Sequence, residues 1–190
     1  MSHLYHDPPA YRRQMSVPFS GLHARAAAHV RAAAPESGAV LDIGCGPGTL
    51  ALRIARSRAD LRVSGVDPVP EMVTYATGLA HRRGLSDRVR FAVGEAARLP
   101  YEQGMFDVVV ATMSLHHWNA LPAAVRELRR VVRPGGSIFV YHLRSADFAG
   151  LRAAVEAVAP EWTYQRKFLW MRVLPSLVFG CARISVPGRR

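Results

Sequence analysis

The stretch VLDIGCGPGTLALRIA, Val40–Ala55, constrains this chain more than any other. An apolar run hands over to helix-like spacing through three glycines at alternate positions, Gly44, Gly46 and Gly48. Glycine lacks Cβ, so it enters backbone conformations closed to other residues and lets a ligand lie against the main chain. Three of them between a strand and a helix predict a tight turn with amide groups gathered at the helix N-terminus, a geometry that commonly holds phosphate. The pattern is G-x-G-x-G. Thr49 stands where a dinucleotide fingerprint has its third glycine, which weakens a dinucleotide reading.

The surrounding chain alternates between short apolar runs and longer helical spacings. Ala39–Ile43, Arg62–Asp67, Val89–Val93, Phe106–Ala111 and Ser137–His142 read as strands, several almost continuously apolar as parallel strands covered on both faces are. Ser20–Ala34, Thr49–Ser57, Pro70–Arg83, Ala120–Val132 and Asp147–Val158 read as helices, with Asn119 as an N-cap and Arg133–Gly136 as a turn. Such alternation predicts an α/β doubly wound sheet, with the ligand beyond the carboxyl ends of its strands. The chain has 190 residues, 49% hydrophobic and 21% charged, which suits a single domain (1–190) with a sizeable core and with 1–35 as a leading lid or helix segment.

The second strand ends at Asp67, 19 residues beyond Gly48. An acid there is placed to accept hydrogen bonds from ribose hydroxyls, or else to cap the helix that follows.

Charge widens the field of partners. Twenty-five basic residues against 14 acidic give +11, and Lys167 is the only lysine, so the excess is carried by arginine. That balance admits nucleic acid, anionic lipid or an anionic metabolite. Cys45 and Cys181 belong to no Cys/His cluster, so no metal site or disulfide framework is expected. The N-terminus lacks the apolar core of a signal peptide, and FLWMRVLPSLVFGCARI is broken by Arg172 and Pro175 and too short to span a bilayer. The expectation is a cytoplasmic protein without a membrane span.

VLDIGCGPG, GVDPVPEMVTYA, GEAARLP, FDVVVATMSLHHW and ELRRVVRPGGSIFV together resemble, in order, the successive motifs of class I S-adenosylmethionine-dependent methyltransferases. The branch they resemble most is the small-molecule one that includes the ubiquinone and menaquinone C-methyltransferases. The resemblance implies a Rossmann-like seven-stranded sheet, mostly parallel with an antiparallel last strand, in which YQRKFLWMR and LVFGCARI supply the last two strands. It implies S-adenosyl-L-methionine as cofactor, S-adenosyl-L-homocysteine as product and a small-molecule acceptor. Gly44, Gly46 and Gly48 would shape the loop under the methionine part, organised by Asp42, and Asp67 would hold the ribose. Pro68 and Met72 would lie near the adenine, with Glu95 and Ala96 at its edge, although relatives commonly carry Asp at the Glu95 place. Thr112 and Met113 would line the pocket near the methyl group.

Methyl transfer needs an aligned nucleophile, exclusion of water, and a base where the nucleophile arrives protonated. His116 and His117, just after the fourth strand, are the candidate bases; the competing reading is that they shape the loop beside Trp118. Tyr5 and Tyr11 are candidates for a lid, Tyr141 and His142 are weaker pocket candidates, and Trp162, Phe168 and Trp170 read as core. No acid pair suggests a magnesium-dependent reaction. An Asn/Asp-Pro-Pro-aromatic tetrad is missing after the fourth strand, which lowers a nucleic-acid substrate. The alternatives to a small-molecule enzyme are a non-catalytic cofactor-binding scaffold and an RNA methyltransferase. The brief leader and minimal insertions predict an open site, closed by the lid or by a second chain in a homodimer, and the apolar, basic C-terminus would suit a lipophilic acceptor.

Overall fold

The computed structural model describes residues 7–170 and 178–188, apart from the side chains of residues 15–18 and 170. Helix α1 (Pro8–Ala33) leads into β1 (Ala39–Ile43), α2 (Thr49–Ser57), β2 (Arg62–Asp67), α3 (Pro70–Arg82) and β3 (Val89–Val93). Then come β4 (Phe106–Thr112), a 3₁₀ turn (Leu115–His117), α4 (Leu121–Val131), β5 (Val132–Leu143), α5 (Phe148–Val158), β6 (Thr163–Trp170) and β7 (Val178–Ser185).

The seven strands form one sheet in the order β3-β2-β1-β4-β5-β7-β6. The five strands β3, β2, β1, β4 and β5 run parallel, and β7 enters antiparallel between β5 and β6. The strand order reverses between β1 and β4, and there the carboxyl ends open a crevice. One apolar layer packs α4, α5 and Trp162 on one face of the sheet; the other packs α1, α2 and α3 on the opposite face. Helix α1 is held by Leu22, Ala26 and Val30, spaced four apart and fully buried, the stripe an amphipathic helix presents to a sheet.

Several boundaries differ from the sequence reading. Helix α1 begins at Pro8, not Ser20: Asp7 caps it by accepting from Ala10 N at 3.0 Å, and two prolines occupy the first turn, where their missing N–H groups are not needed. The Arg133–Gly136 segment is not a free turn but the start of β5. The register with β4 shifts there, Gly135 takes φ +82°, and its N–H donates to Pro187 O at 3.0 Å. Asn119 does not cap α4; Ala120 occupies that place without a side-chain bond. Trp162 is buried as expected. Phe168 is not core: it lies 57% exposed on β6, the end strand of the sheet among the described residues. Tyr5 lies outside the described residues, as does the side chain of Trp170.

Candidate functional site

A cavity of about 430 Å³ opens at the carboxyl ends of β1, β2 and β4. Gly44, Gly46, Asp67, Pro68, Met72, Glu95, Ala96, Thr112, Met113 and His117, all singled out from sequence, line it. Tyr11, the lid candidate, also stands on the wall, and the structure adds Val69, Ser114, Trp118 and Asn119. Tyr11 reaches it because α1 starts twelve residues earlier than periodicity indicated.

The three glycines differ in why they must be glycine. All three have positive φ, +69°, +49° and +75°. A Cβ on Gly44 would stand 2.3 Å from Ser114 Cβ, and one on Gly48 would stand 2.7 Å from Phe91 Cζ, so these two let the loop press against the protein. Around Gly46 the nearest atom is Tyr11 Cε1 at 3.8 Å, so this residue leaves room for a ligand. Gly48 accordingly sits behind the loop and not on the cavity wall.

Asp67 ties the loop to the strand that precedes it. Its Oδ2 accepts from Gly46 N at 2.8 Å and its Oδ1 from Val69 N at 3.0 Å. The carboxylate therefore serves the turn before α3 and the glycine loop together, and its remaining lone pairs face the cavity. Burial raises its pKa, while the two backbone donors and the nearby His117 hold it down.

Asp42 lies beneath the loop, 1% exposed and off the cavity wall. Neither carboxylate oxygen has a hydrogen-bond partner, and Ala51 N–H opposes the loss of charge without closing a bond. Burial first and the charge of Asp67 second push its pKa up to about 7. The acid thus binds its proton more tightly folded than unfolded. Its contribution to stability is complete below the unfolded value of 3.8 and is lost as pH rises through about 7. Wild type will lose about 3 kcal/mol between pH 5 and 8 on this account, and Asp42→Asn will not. Chemical denaturation of both proteins at the two pH values reads the difference; equal pH slopes would refute the assignment.

The two candidate histidines part company. His117 lines the cavity, whereas His116 stands beside it, ring centroids 3.8 Å apart, and turns to His142. His116 Nδ1 and His142 Nε2 are 2.7 Å apart and share a hydrogen bond. Burial, then the neighbouring His116, lowers His142 to about 4, so the buried ring is neutral at physiological pH. Burial also lowers His116, with His117 adding to the effect. Neither His142 nor Tyr141 lines the cavity: Tyr141 is buried against α1, its hydroxyl bonded to His29 Nδ1.

The floor near Glu95 is fixed from α4. Glu127 Oε2 accepts from Leu99 N at 2.7 Å, and Arg130, paired with Glu127, donates to Leu99 O at 3.0 Å and to Tyr101 O.

No arginine or lysine lines the cavity, while Asp67 and Glu95 do and Asp42 lies beneath it. A diphosphate would meet carboxylates there; a ligand carrying a cation would find them complementary. The residues fit a nucleoside joined to a cationic group. Among the described residues no His, Cys, Asp or Glu cluster is arranged to hold a metal ion.

Known proteins agree with this geometry. The family model described as a methyltransferase domain matches residues 40–136, about half of the chain. The chain belongs to that family, the class I S-adenosylmethionine-dependent methyltransferases. It is 32% identical to norajmaline N-methyltransferase of Rauvolfia serpentina over 75% of this chain and 46% of the relative. It is 39% identical to 27-O-demethylrifamycin SV methyltransferase of Amycolatopsis mediterranei over 63% of this chain and 44% of that one. The chain thus spans less than half the length of these curated relatives. In fold it is similar to the [4+2]-cyclase SpnF, with a TM-score of 0.73 and 23% identity over 87% of this chain and 81% of that one.

Proposed function

We propose that the chain transfers a methyl group from S-adenosyl-L-methionine to a small, apolar acceptor. The observation that carries this reading is the cavity's charge: carboxyl groups at and under the glycine loop, and no arginine or lysine on the wall. Asp67 accepts from the ribose hydroxyls, Pro68 and Met72 flank the adenine, and Glu95 and Ala96 meet its edge. Asp42, below the loop, offsets the positive charge of the amino-acid end in its ionised form, which that charge favours. A recess of about 40 Å³ beside Gly46, lined by Arg12 and Thr49, suits the carboxylate of that end. The chain acts as one domain, with the first turns of α1, at Tyr11, as the lid.

The cofactor supplies a methyl group on a sulfonium sulfur. The chain's own residues do the rest. Thr112 and Met113, at the end of β4, face the methyl-bearing part of the cavity, and Trp118 and Val69 supply apolar wall that excludes water. The bound cofactor would supply the methyl carbon to the acceptor and keep the electron pair of the broken sulfur–carbon bond on its sulfur, and these residues would hold it facing the acceptor. The proton released by a protonated acceptor passes to His117, an imidazole at the cavity wall. The apolar wall supports a lipophilic acceptor, and two free, buried cysteines support the cytoplasm as the compartment.

Titration calorimetry with S-adenosylmethionine, S-adenosylhomocysteine and NAD tests the reading. Micromolar binding of the first two and none of NAD is expected; no binding of either would move a scaffold role ahead. Light scattering of the same samples shows whether a second copy closes the open mouth. Once an acceptor is found by release of S-adenosylhomocysteine, His117→Asn is expected to lower kcat about 100-fold or more with cofactor Kd unchanged. An unchanged kcat would remove His117 from the proton's path.

A further inference from the structure

The net charge of this chain is segregated. Residues 8–35 hold four arginines and no acid, and residues 163–190 hold five arginines, Lys167 and no acid. The rest of the chain carries 15 basic and 14 acidic residues, so nearly all of the +11 resides in two segments at opposite ends of the sequence. The fold brings the described parts of those segments together, since α1 packs on β4 and β5 and Phe19 of α1 meets Phe179 of β7 edge to face at 6.2 Å.

At that junction Arg25 of α1, Lys167 of β6 and Arg183 of β7 all act electrostatically on His29, and no acid does so. All three cations are exposed, and none forms an ion pair among the described residues. Around the edge strand, Arg166 lies over the rings of Phe148 and Phe168, at 4.4 and 4.9 Å, while Phe168 itself is 57% exposed. The edge strand β6 thus carries Lys167 on the face that packs α1, and Arg166 with the exposed ring of Phe168 on the opposite face.

We propose that this edge of the sheet, β6 with the flanking cations of α1 and β7, docks on an anionic lipid surface. Stable attachment to a bilayer takes two signals, an apolar insertion and a basic patch, and this edge supplies both. A nucleic acid fits less well. Its phosphates would meet the cations, but the cavity that would have to receive one of its groups is walled by carboxylates without an arginine or lysine. The docking needs no cofactor and does not depend on which group the cavity transfers.

The test is sedimentation of the full chain with phosphatidylcholine vesicles, with and without one third phosphatidylglycerol, at rising salt. Binding to the anionic vesicles alone, weakening with salt, is expected. Each cation removed from the surface should weaken partition about fivefold, so Arg25→Glu with Lys167→Glu should weaken it about 25-fold or more. Phe168→Ser should weaken it about tenfold through lost insertion. Arg183→Gln supplies a milder second probe, and Arg90→Glu with Arg126→Glu, exposed on β3 and α4, should leave binding unchanged. Circular dichroism melts confirm that each variant is folded. Equal binding to neutral vesicles, no vesicle binding, or equal loss in the Arg90/Arg126 control would overturn the proposal. Tight binding of polyuridylate lost with Arg25 and Lys167, without vesicle binding, would overturn it in favour of nucleic acid.

Discussion

Replacing Asp67 with alanine will weaken S-adenosylmethionine binding by at least about 100-fold, the largest loss of affinity expected from any single change in this chain. Two effects add. Hydrogen bonds to a charged acceptor contribute about 1.5–3 kcal/mol each, and the ribose would lose those it makes to this carboxylate. The substitution also releases Gly46 N and Val69 N, which Asp67 now holds at 2.8 and 3.0 Å, so the loop must be ordered at the expense of binding. Asp67→Asn separates the two, because its one oxygen can still accept from one amide while charge is lost. Calorimetric titration of both variants should place Asn between wild type and Ala. Wild-type affinity in Asp67→Ala would reduce this residue to a helix-capping role and remove the ribose contact from the proposal.

Gly44→Ala is expected to be the most destabilising methyl group that can be added to the loop. The left-handed backbone alone costs a non-glycine residue about 1–2 kcal/mol. The new Cβ would also stand 2.3 Å from Ser114 Cβ, and Ser114 cannot yield easily because its Oγ donates to Ile43 O at 2.9 Å. Overpacking of that kind adds about 1–3 kcal/mol, so the total is a substantial part of the ~5–15 kcal/mol that holds a domain together. The melting temperature should fall by roughly 10 °C. Gly46→Ala provides the contrast. Its Cβ would meet nothing closer than Tyr11 Cε1 at 3.8 Å, so it should melt within a few degrees of wild type while losing cofactor affinity. Equal melting of the two alanine variants would show that the Ser114 contact does not constrain the loop.

How much of this was legible in the sequence depends on the range of the interaction involved. The strands β1, β2 and β4 were readable because parallel strands buried on both faces are written as local apolar runs, and the more exposed edge strand β3 was readable from its valines and phenylalanine. Asp67 was readable because spacing and topology agreed on one position. The start of α1 was not, since Pro8, Pro9 and Pro18 punctuate the very segment that turns out helical. Nor was the entry of β5, where Pro134 and two glycines look like a turn until a partner strand is present to pair with them. His142 escaped notice as the partner of His116 because the two lie 26 residues apart and meet only when β4 and β5 are side by side. Phe168 reads as core because Leu169 and Trp170 follow it; only the sheet order shows that β6 is an edge. The pairing of the last two strands was available from the resemblance alone, because nothing local to either strand specifies the other.

The clamp between α4 and the loop after β3 sets how that loop will breathe. Leu99 belongs to a connection between strands, a class of segment whose amides normally exchange with solvent quickly. Its N–H is nevertheless held by Glu127, and its carbonyl by Arg130, from a helix whose apolar side lies in the core. Deuterium should therefore enter at Leu99 only when α4 itself opens. One end of the proposed adenine pocket would then stay shut on the timescale of the core, leaving the Tyr11 side as the route by which ligands come and go.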